Sequence, residues 1–377
     1  MFDRMEQTVE LKTDLERAAE LEKEGRYDEA LAGLKLLASQ YPEDIDVLHQ
    51  LATALLRAGE LRESIIHLRK VLFMRPEHLI ARTNMGNALL LLGYLDQANE
   101  AFSAVLEVEE SNKNALYGMA SLLLQWERYD EAMSFARKLV ELLPKSAATH
   151  CLIADIAIKK ANMDVAVLHY RTALRHDPGY VPALQGAAHL LLLRKHPEKA
   201  REYLEQGLSL QPRNVSLMQE IGKCYLMENQ VELAVQILQE ANSLVPDDFS
   251  TLIQLSIAER RYDHSYVSVV HAAQALRLQP RNKEAGNTLG AALVAANEPD
   301  AARALLTGVA SGASISNYVK DVIARIEARA LEGFVSPKHS EIRSPIAIED
   351  AVTDMEADQN LLINEDAENE NNKEIKS

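Results

Sequence analysis

Residues 113–146 read KNALYGMASLLLQWERYDEAMSFARKLVELLPKS, and the next 34, residues 147–180, read AATHCLIADIAIKKANMDVAVLHYRTALRHDPGY. Set one above the other, Ala120 meets Ala154, Ala132 meets Ala166 and Pro144 meets Pro178. The register runs on in both directions. Pro42, Pro76, Pro144, Pro178, Pro212, Pro246 and Pro280 all fall on one 34-residue grid, whose remaining nodes hold Glu110 and Ser314. No insertion or deletion breaks it, so the chain divides into repeats 11–44, 45–78, 79–112, 113–146, 147–180, 181–214, 215–248, 249–282 and 283–316. Self-similarity at this period is the signature of stacked supersecondary units.

Two columns of the alignment hold only small residues. One runs Ala18, Ala52, Gly86, Ala120, Ala154, Ala188, Gly222, Ser256 and Gly290. The other, twelve residues later, runs Ala30, Ser64, Ala98, Ala132, Ala166, Ala200, Ala234, Ser268 and Ala302. Packed helix axes lie about 8–10 Å apart, and side chains without bulk let two backbones reach the short end of that range. Each repeat therefore reads as a tight helical hairpin. Leu51, Met85, Met119, Ile153, Ile221 and Leu289 supply bulk beside the first column. Between the helices, Gly25, Gly59 and Gly93 provide a left-handed C-cap. Pro197 and Pro299 open second helices, where a missing N–H costs nothing, and the grid proline ends them because the residue before proline avoids the α region.

Composition agrees with helices. With 6 Phe, 1 Trp and 15 Gly in 377 residues, the chain lacks the aromatic content of a β protein. A formal net charge of −16 opposes a nucleic-acid partner, which needs clustered Lys and Arg to displace counterions. No stretch approaches 18 uninterrupted apolar residues, so direct membrane insertion is not expected and the expected location is cytoplasmic. Cys151 and Cys224 stand 73 positions apart, which suits neither a disulfide framework nor a paired-thiol metal site.

The columns resemble the tetratricopeptide repeat, over residues 11–316. The resemblance implies an all-α fold: a right-handed α-α superhelix, or solenoid, of nine tandem 34-residue helical hairpins. Arg17 departs from the pattern and marks the first repeat as a solvent-facing cap. Arg260-Arg261-Tyr262-Asp263 marks the eighth as the candidate for irregularity. Residues 1–10 are read as an N-terminal extension. Residues 317–334 carry Val319, Ile323, Ile326, Ala330 and Leu331 at helical spacing and read as a C-terminal capping helix. Residues 335–377 hold eleven acidic and four basic residues, a net of −7, and read as a disordered acidic tail. Within it, Ile346, Ile348, Ala351, Val352 and Met355 have amphipathic spacing.

In such an array the first helix of each pair lies on the concave side, and the resemblance assigns its columns to a groove that holds an extended peptide or a helix of a partner protein. One column contains Tyr117, Cys151, Gln185 and Gln219; another contains Asn87, Ser121, Asp155, His189 and Lys223; Asn84 lies alongside. Their mostly neutral, polar character suits hydrogen bonding to a peptide. A further column, Leu90, Leu124, Ile158, Leu192 and Leu226, reads either as a hydrophobic floor for a partner helix or as packing between repeats. The clamp of Lys, Asn and Arg by which some relatives bind the C-terminal carboxylate of a chaperone is not matched: Asn84 fits, but His49, Thr53, Asn114 and Gly118 fill its other places.

No phosphate-binding loop, HExxH or calcium loop occurs, and no cofactor or metal is expected. Cys151, Asp155 and His189 are the only constellation with nucleophilic chemistry, and groove lining is the simpler account of them. The resulting expectation is an interaction scaffold or adaptor and not an enzyme. A regulatory or accessory subunit of a larger enzyme or secretion assembly is the alternative, and a Cys/His-dependent enzyme a distant third.

Overall fold

The structure, a computed structural model, describes residues 2–311 and 314–333. It is all-α over these residues. The helices are α1 (Phe2–Lys23), α2 (Tyr27–Gln40), α3 (Ile45–Arg57), α4 (Leu61–Met74), α5 (Leu79–Leu91), α6 (Leu95–Val108), α7 (Lys113–Gln125), α8 (Tyr129–Leu142), α9 (Ala147–Lys159), α10 (Met163–His176), α11 (Val181–Leu193), α12 (Pro197–Leu210), α13 (Val215–Met227), α14 (Val231–Leu244), α15 (Phe249–Arg261), α16 (Ser265–Leu278), α17 (Lys283–Ala295), α18 (Pro299–Ser311) and α19 (Asn317–Gly333). They fall as nine pairs on the 34-residue grid, followed by one more helix. The acidic segment 335–377 lies outside the described residues.

The helices gather into two compact units, Met1–Asn162 and Met163–Ser377. In the first, α1 to α8 form four antiparallel hairpins, each second helix packs on the next first helix, and α9 closes the stack on α8. In the second, α10 packs on α11, and α11 to α18 form four more hairpins. Helix α19 lies across α16 and α18. It buries Val319, Val322, Ile323 and Ile326 in the core of the last two repeats. Val322, absent from the sequence reading, is as buried as its neighbours.

The two small columns face each other. Ser64 Oγ donates to the carbonyl of Ala52 at 2.7 Å, and Ser268 Oγ to that of Ser256 at 2.8 Å. Each of these bonds joins residues twelve apart, the offset between the columns. Where a first-column residue is glycine, a large neighbour occupies the vacated volume. A Cβ on Gly86 would lie 2.6 Å from the Phe102 ring, and one on Gly118, in the Asn84 column of the next repeat, 2.4 Å from the same ring. Thus Phe102 is fully buried against two glycine backbones.

Helix ends follow local chemistry, with two departures from the sequence reading. Gly25, Gly59 and Gly93 do take positive φ, but in the next six repeats Glu127, Ala161, Lys195, Asn229, Asp263 and Asn297 hold the same conformation. The hairpin imposes that turn whether or not glycine is present. Likewise Glu109, before the proline-free node, has φ −135° and ψ 87°, while Arg75, before Pro76, has −137° and 84°. Proline favours this stop without being required for it. The segment read as an N-terminal extension is helical, since α1 begins at Phe2, and the expected irregularity of the eighth repeat is absent, because α15 is a regular 13-residue helix despite the Arg260-Arg261-Tyr262-Asp263 sequence.

Adding a methyl group at Gly118 should overpack the Phe102 socket and destabilise the chain by about 1–3 kcal/mol. Gly33, inside α2 with nothing near its missing Cβ, should instead tolerate or gain from alanine. Denaturant unfolding of Gly118→Ala and Gly33→Ala checks this, and Phe102→Leu should recover part of the first loss.

Burial alone lowers the His271 imidazole to about 4. The folded state holds it neutral, so stability is full above the unfolded value of about 6.5 and declines as pH falls toward 4. Between pH 7 and pH 5 the loss from this group should be about 2 kcal/mol. The difference in melting temperature between His271→Gln and the native chain should shrink or reverse over that interval.

Candidate partner-binding face

Neighbouring first helices touch across repeat boundaries: α3 with α5, α5 with α7 and α7 with α9 in the first unit, and α13 with α15 and α15 with α17 in the second. They make a continuous layer in each unit. Their N-termini are anchored by a column that sequence reading passed over, two residues beyond the grid proline. Asp44, Asn112, Ser146, Asn214, Asp248 and Asn282 each accept a backbone N–H of the first turn through the side chain, and His78 does so through Nδ1. Asp, Asn and Ser recurring just before an apolar period is a cap signal.

The residues assigned to the groove divide by what they touch. In the first unit, Asn84 Nδ2 donates to Thr53 Oγ1 of the preceding repeat at 3.1 Å. Asn87 and Ser121 are half-buried. Tyr117, 38 % exposed, has its hydroxyl pKa raised by burial and then by Cys151 and Asp155, so these three side chains come together between α7 and α9. In the second unit, Gln185 Nε2 donates to Ser216 Oγ at 3.0 Å and to Glu220 Oε1 at 2.7 Å. Gln219 Nε2 donates to Asp248 Oδ2 at 2.7 Å and to Thr251 Oγ1 at 2.8 Å. Both amides clip one repeat to the next, with the Asp248 carboxylate serving the clip and the α15 cap at once. His189 and Lys223 are exposed.

The apolar ladder lies mostly between helices. Leu90 and Leu226 are buried, and Leu124, Ile158 and Leu192 are half-buried. One residue further along, exposed apolar side chains stand on α5, α11 and α13, where Leu91 is 65 %, Leu193 53 % and Met227 50 % exposed, while α7, α9 and α15 carry Gln125, Lys159 and Arg261 there. A rotation of about 100° per residue separates packing from presentation.

Two buried groups bear on chemistry. Burial, and then Asp155, push the Cys151 thiol pKa upward, and burial takes that of Cys224 to about 12. A nucleophile needs the thiolate, and this setting opposes it. His189, the imidazole of the proposed constellation, belongs to the other unit. On α15, outside the columns assigned to the groove, Glu259 occupies a column whose other members include Leu55, Leu89, Leu123, Leu191 and Leu293. Its buried carboxylate accepts from Gln239 Nε2 at 3.0 Å and pairs with His264 Nδ1 at 2.7 Å, beside a cavity of about 680 Å³.

Family models described as tetratricopeptide repeat match residues 84–147 and 191–255, inside the array of paired helices. The chain carries tetratricopeptide repeats. Among relatives of this repeat protein, BBSome complex member BBS4 of Bos taurus is 21 % identical over 270 residues, covering 62 % of this chain and 52 % of that one. Anaphase-promoting complex subunit 7 of Arabidopsis thaliana is 22 % identical over 298 residues, covering 69 % and 52 %. The chain thus spans about half the length of these curated relatives. A solved tetratricopeptide repeat protein from Parabacteroides merdae superposes with a TM-score of 0.53 at 20 % identity, over 66 % of this chain and 98 % of that one. The crystal structure of the APC/C hetero-tetramer Cut9-Hcn1 contains a chain that superposes with a TM-score of 0.61 at 15 % identity, over 74 % and 55 %. At these identities the likeness is one of fold.

Replacing Gln219 by Met should cost about 1–3 kcal/mol, because the half-buried Asp248 and the buried Thr251 lose a donor. Tyr117→Ser should cost less. Hydrogen exchange at the α13–α15 boundary, where protection should fall only in the Gln219 variant, separates the two.

Proposed function

We propose that this repeat protein is a scaffold or adaptor that holds a segment of a partner protein along its first-helix layer. The observation that carries the reading is the set of apolar side chains left half or more exposed there, Leu91, Leu193 and Met227, amid polar neighbours. Apolar side chains spaced one repeat apart, as Leu193 and Met227 are, suit a bound helix or extended strand better than a small ligand. Tyr117 adds an aromatic anchor of the kind enriched at interfaces. Asn87 and Ser121 add polar groups on the layer of the first unit, and His189 and Lys223 on that of the second. The protein acts, on this reading, without catalysis of its own, and two buried, unpaired cysteines suit a reducing cytoplasm.

A second reading, a fixed subunit of a larger assembly, is favoured by the relatives named as a complex member and as a complex subunit. Stoichiometry separates the two. A scaffold should co-purify with several substoichiometric partners, and a subunit with one constant set.

Affinity purification with the tagged chain tests the shared premise. The pair Leu193→Ser and Met227→Ser should lose most partner signal at nearly unchanged melting temperature, since exposed substitutions stay within about 0.5 kcal/mol. Full capture by that pair and by a Leu91→Ser, Tyr117→Ser pair alike would move the interaction away from the first helices.

A further inference from the structure

The first-helix layer of the second unit has a character of its own. Leu193, Met227 and Val294 expose half or more of their surfaces on α11, α13 and α17. Between them in chain order stand the basic side chains Lys223, Arg260 and Arg261, in a protein with a net charge of −16. Arg261 is braced by the carbonyl of Leu226 and by Asn229 Oδ1, and the nearby Glu220 is engaged by the Gln185 amide. A ligand for this face would present apolar groups along one side and carboxylates beside them.

The chain carries such a segment. Residues 346–355, IAIEDAVTDM, place Ile348, Ala351, Val352 and Met355 at i, i+3, i+4 and i+7, with Glu349, Asp350 and Asp354 alongside. That is the anchor pattern of a helix laid in a groove. The segment also starts near the face: Arg329 and Ala330, close to the end of α19, line one cavity with Tyr262 and Ala295 at the ends of α15 and α17, and residues 334–345 span up to roughly 40 Å when extended.

We propose that residues 346–355 dock on the first-helix layer of the second unit, as an intramolecular competitor of the partner segment. The proposal rests on the partner-binding reading of that layer. Apolar anchors enter between Leu193, Met227 and Val294, and the carboxylates meet Lys223 and Arg260. Tethering sets an effective concentration on the order of millimolar, so weak intrinsic affinity suffices to occupy the face until a tighter partner arrives.

A labelled synthetic peptide of residues 344–358, titrated against the full chain, tests the idea. It should bind the variant Ile348→Ser, Val352→Ser, Met355→Ser at least about tenfold more tightly than the native chain, whose own segment occupies the face. Adding Lys223→Glu and Arg260→Glu to that variant should abolish binding, whereas Leu233→Ser on α14 should leave it intact. No binding to the triple variant, or equal binding to variant and native chain, overturns the proposal. So does a native dimer that the triple substitution dissociates, since the segment would then act on a second copy. If peptide binding fails while partner capture still depends on Leu193 and Met227, the competitor falls and the partner-binding face stands.

Discussion

The close approach of two helix backbones inside each hairpin is the constraint from which the remaining structure follows. It exists because columns twelve residues apart hold Ala, Gly or Ser. Ser64 and Ser268 show how narrow the gap is, since each hydroxyl spans it to the opposite backbone carbonyl. A larger residue in either column would separate the helices and change the tilt of every repeat stacked on them. The sockets formed by Gly86 and Gly118 serve the same end from the other side, because a missing Cβ is filled by the ring of Phe102.

With the hairpin geometry set, the layer of first helices has two jobs that compete for the same side chains. Part of its polar surface ties repeats together, as Gln185 and Gln219 do through Ser216, Glu220, Asp248 and Thr251. Part remains available to a ligand. The leucine ladder divides in the same way: Leu90 and Leu226 are committed to packing, while Leu91 and Met227, one residue on, face solvent. Conserving array geometry and presenting a surface are thus properties of adjacent residues on one turn of helix. Charge adds direction, because Lys223, Arg260 and Arg261 give the second unit a locally basic face within an acidic protein.

The repeat register, the helical class and the identity of the first-helix columns were legible in the chain because each rests on a pattern repeated nine times. Prolines, small residues and turn glycines reinforce one another across repeats, so a departure in one, such as Glu110 at a proline node, leaves the reading intact. One expectation of irregularity, at the eighth repeat, did not hold. The α15 helix is regular despite its arginine pair, and the segment before residue 11 is helical. Local sequence raised doubt only at the arginine pair, and helix stacking overrode it. The Asp, Asn and Ser caps two residues past most of the grid prolines could have been read and were not.

What the sequence by itself determined is periodicity: which positions are small, which are apolar, and where helices start and stop. Those are nearest-neighbour properties along the chain. Only the tertiary structure decided which polar side chains are spent on contacts between repeats, which apolar side chains face solvent, and that Glu259 sits buried with Gln239 and His264 in a column of leucines. Each depends on distances between residues about 20 to 35 positions apart, or on a rotation of one residue about a helix axis. A one-dimensional pattern carries neither quantity. That is why the fold could be read from the chain while the exposure of Leu91, Leu193 and Met227 could not.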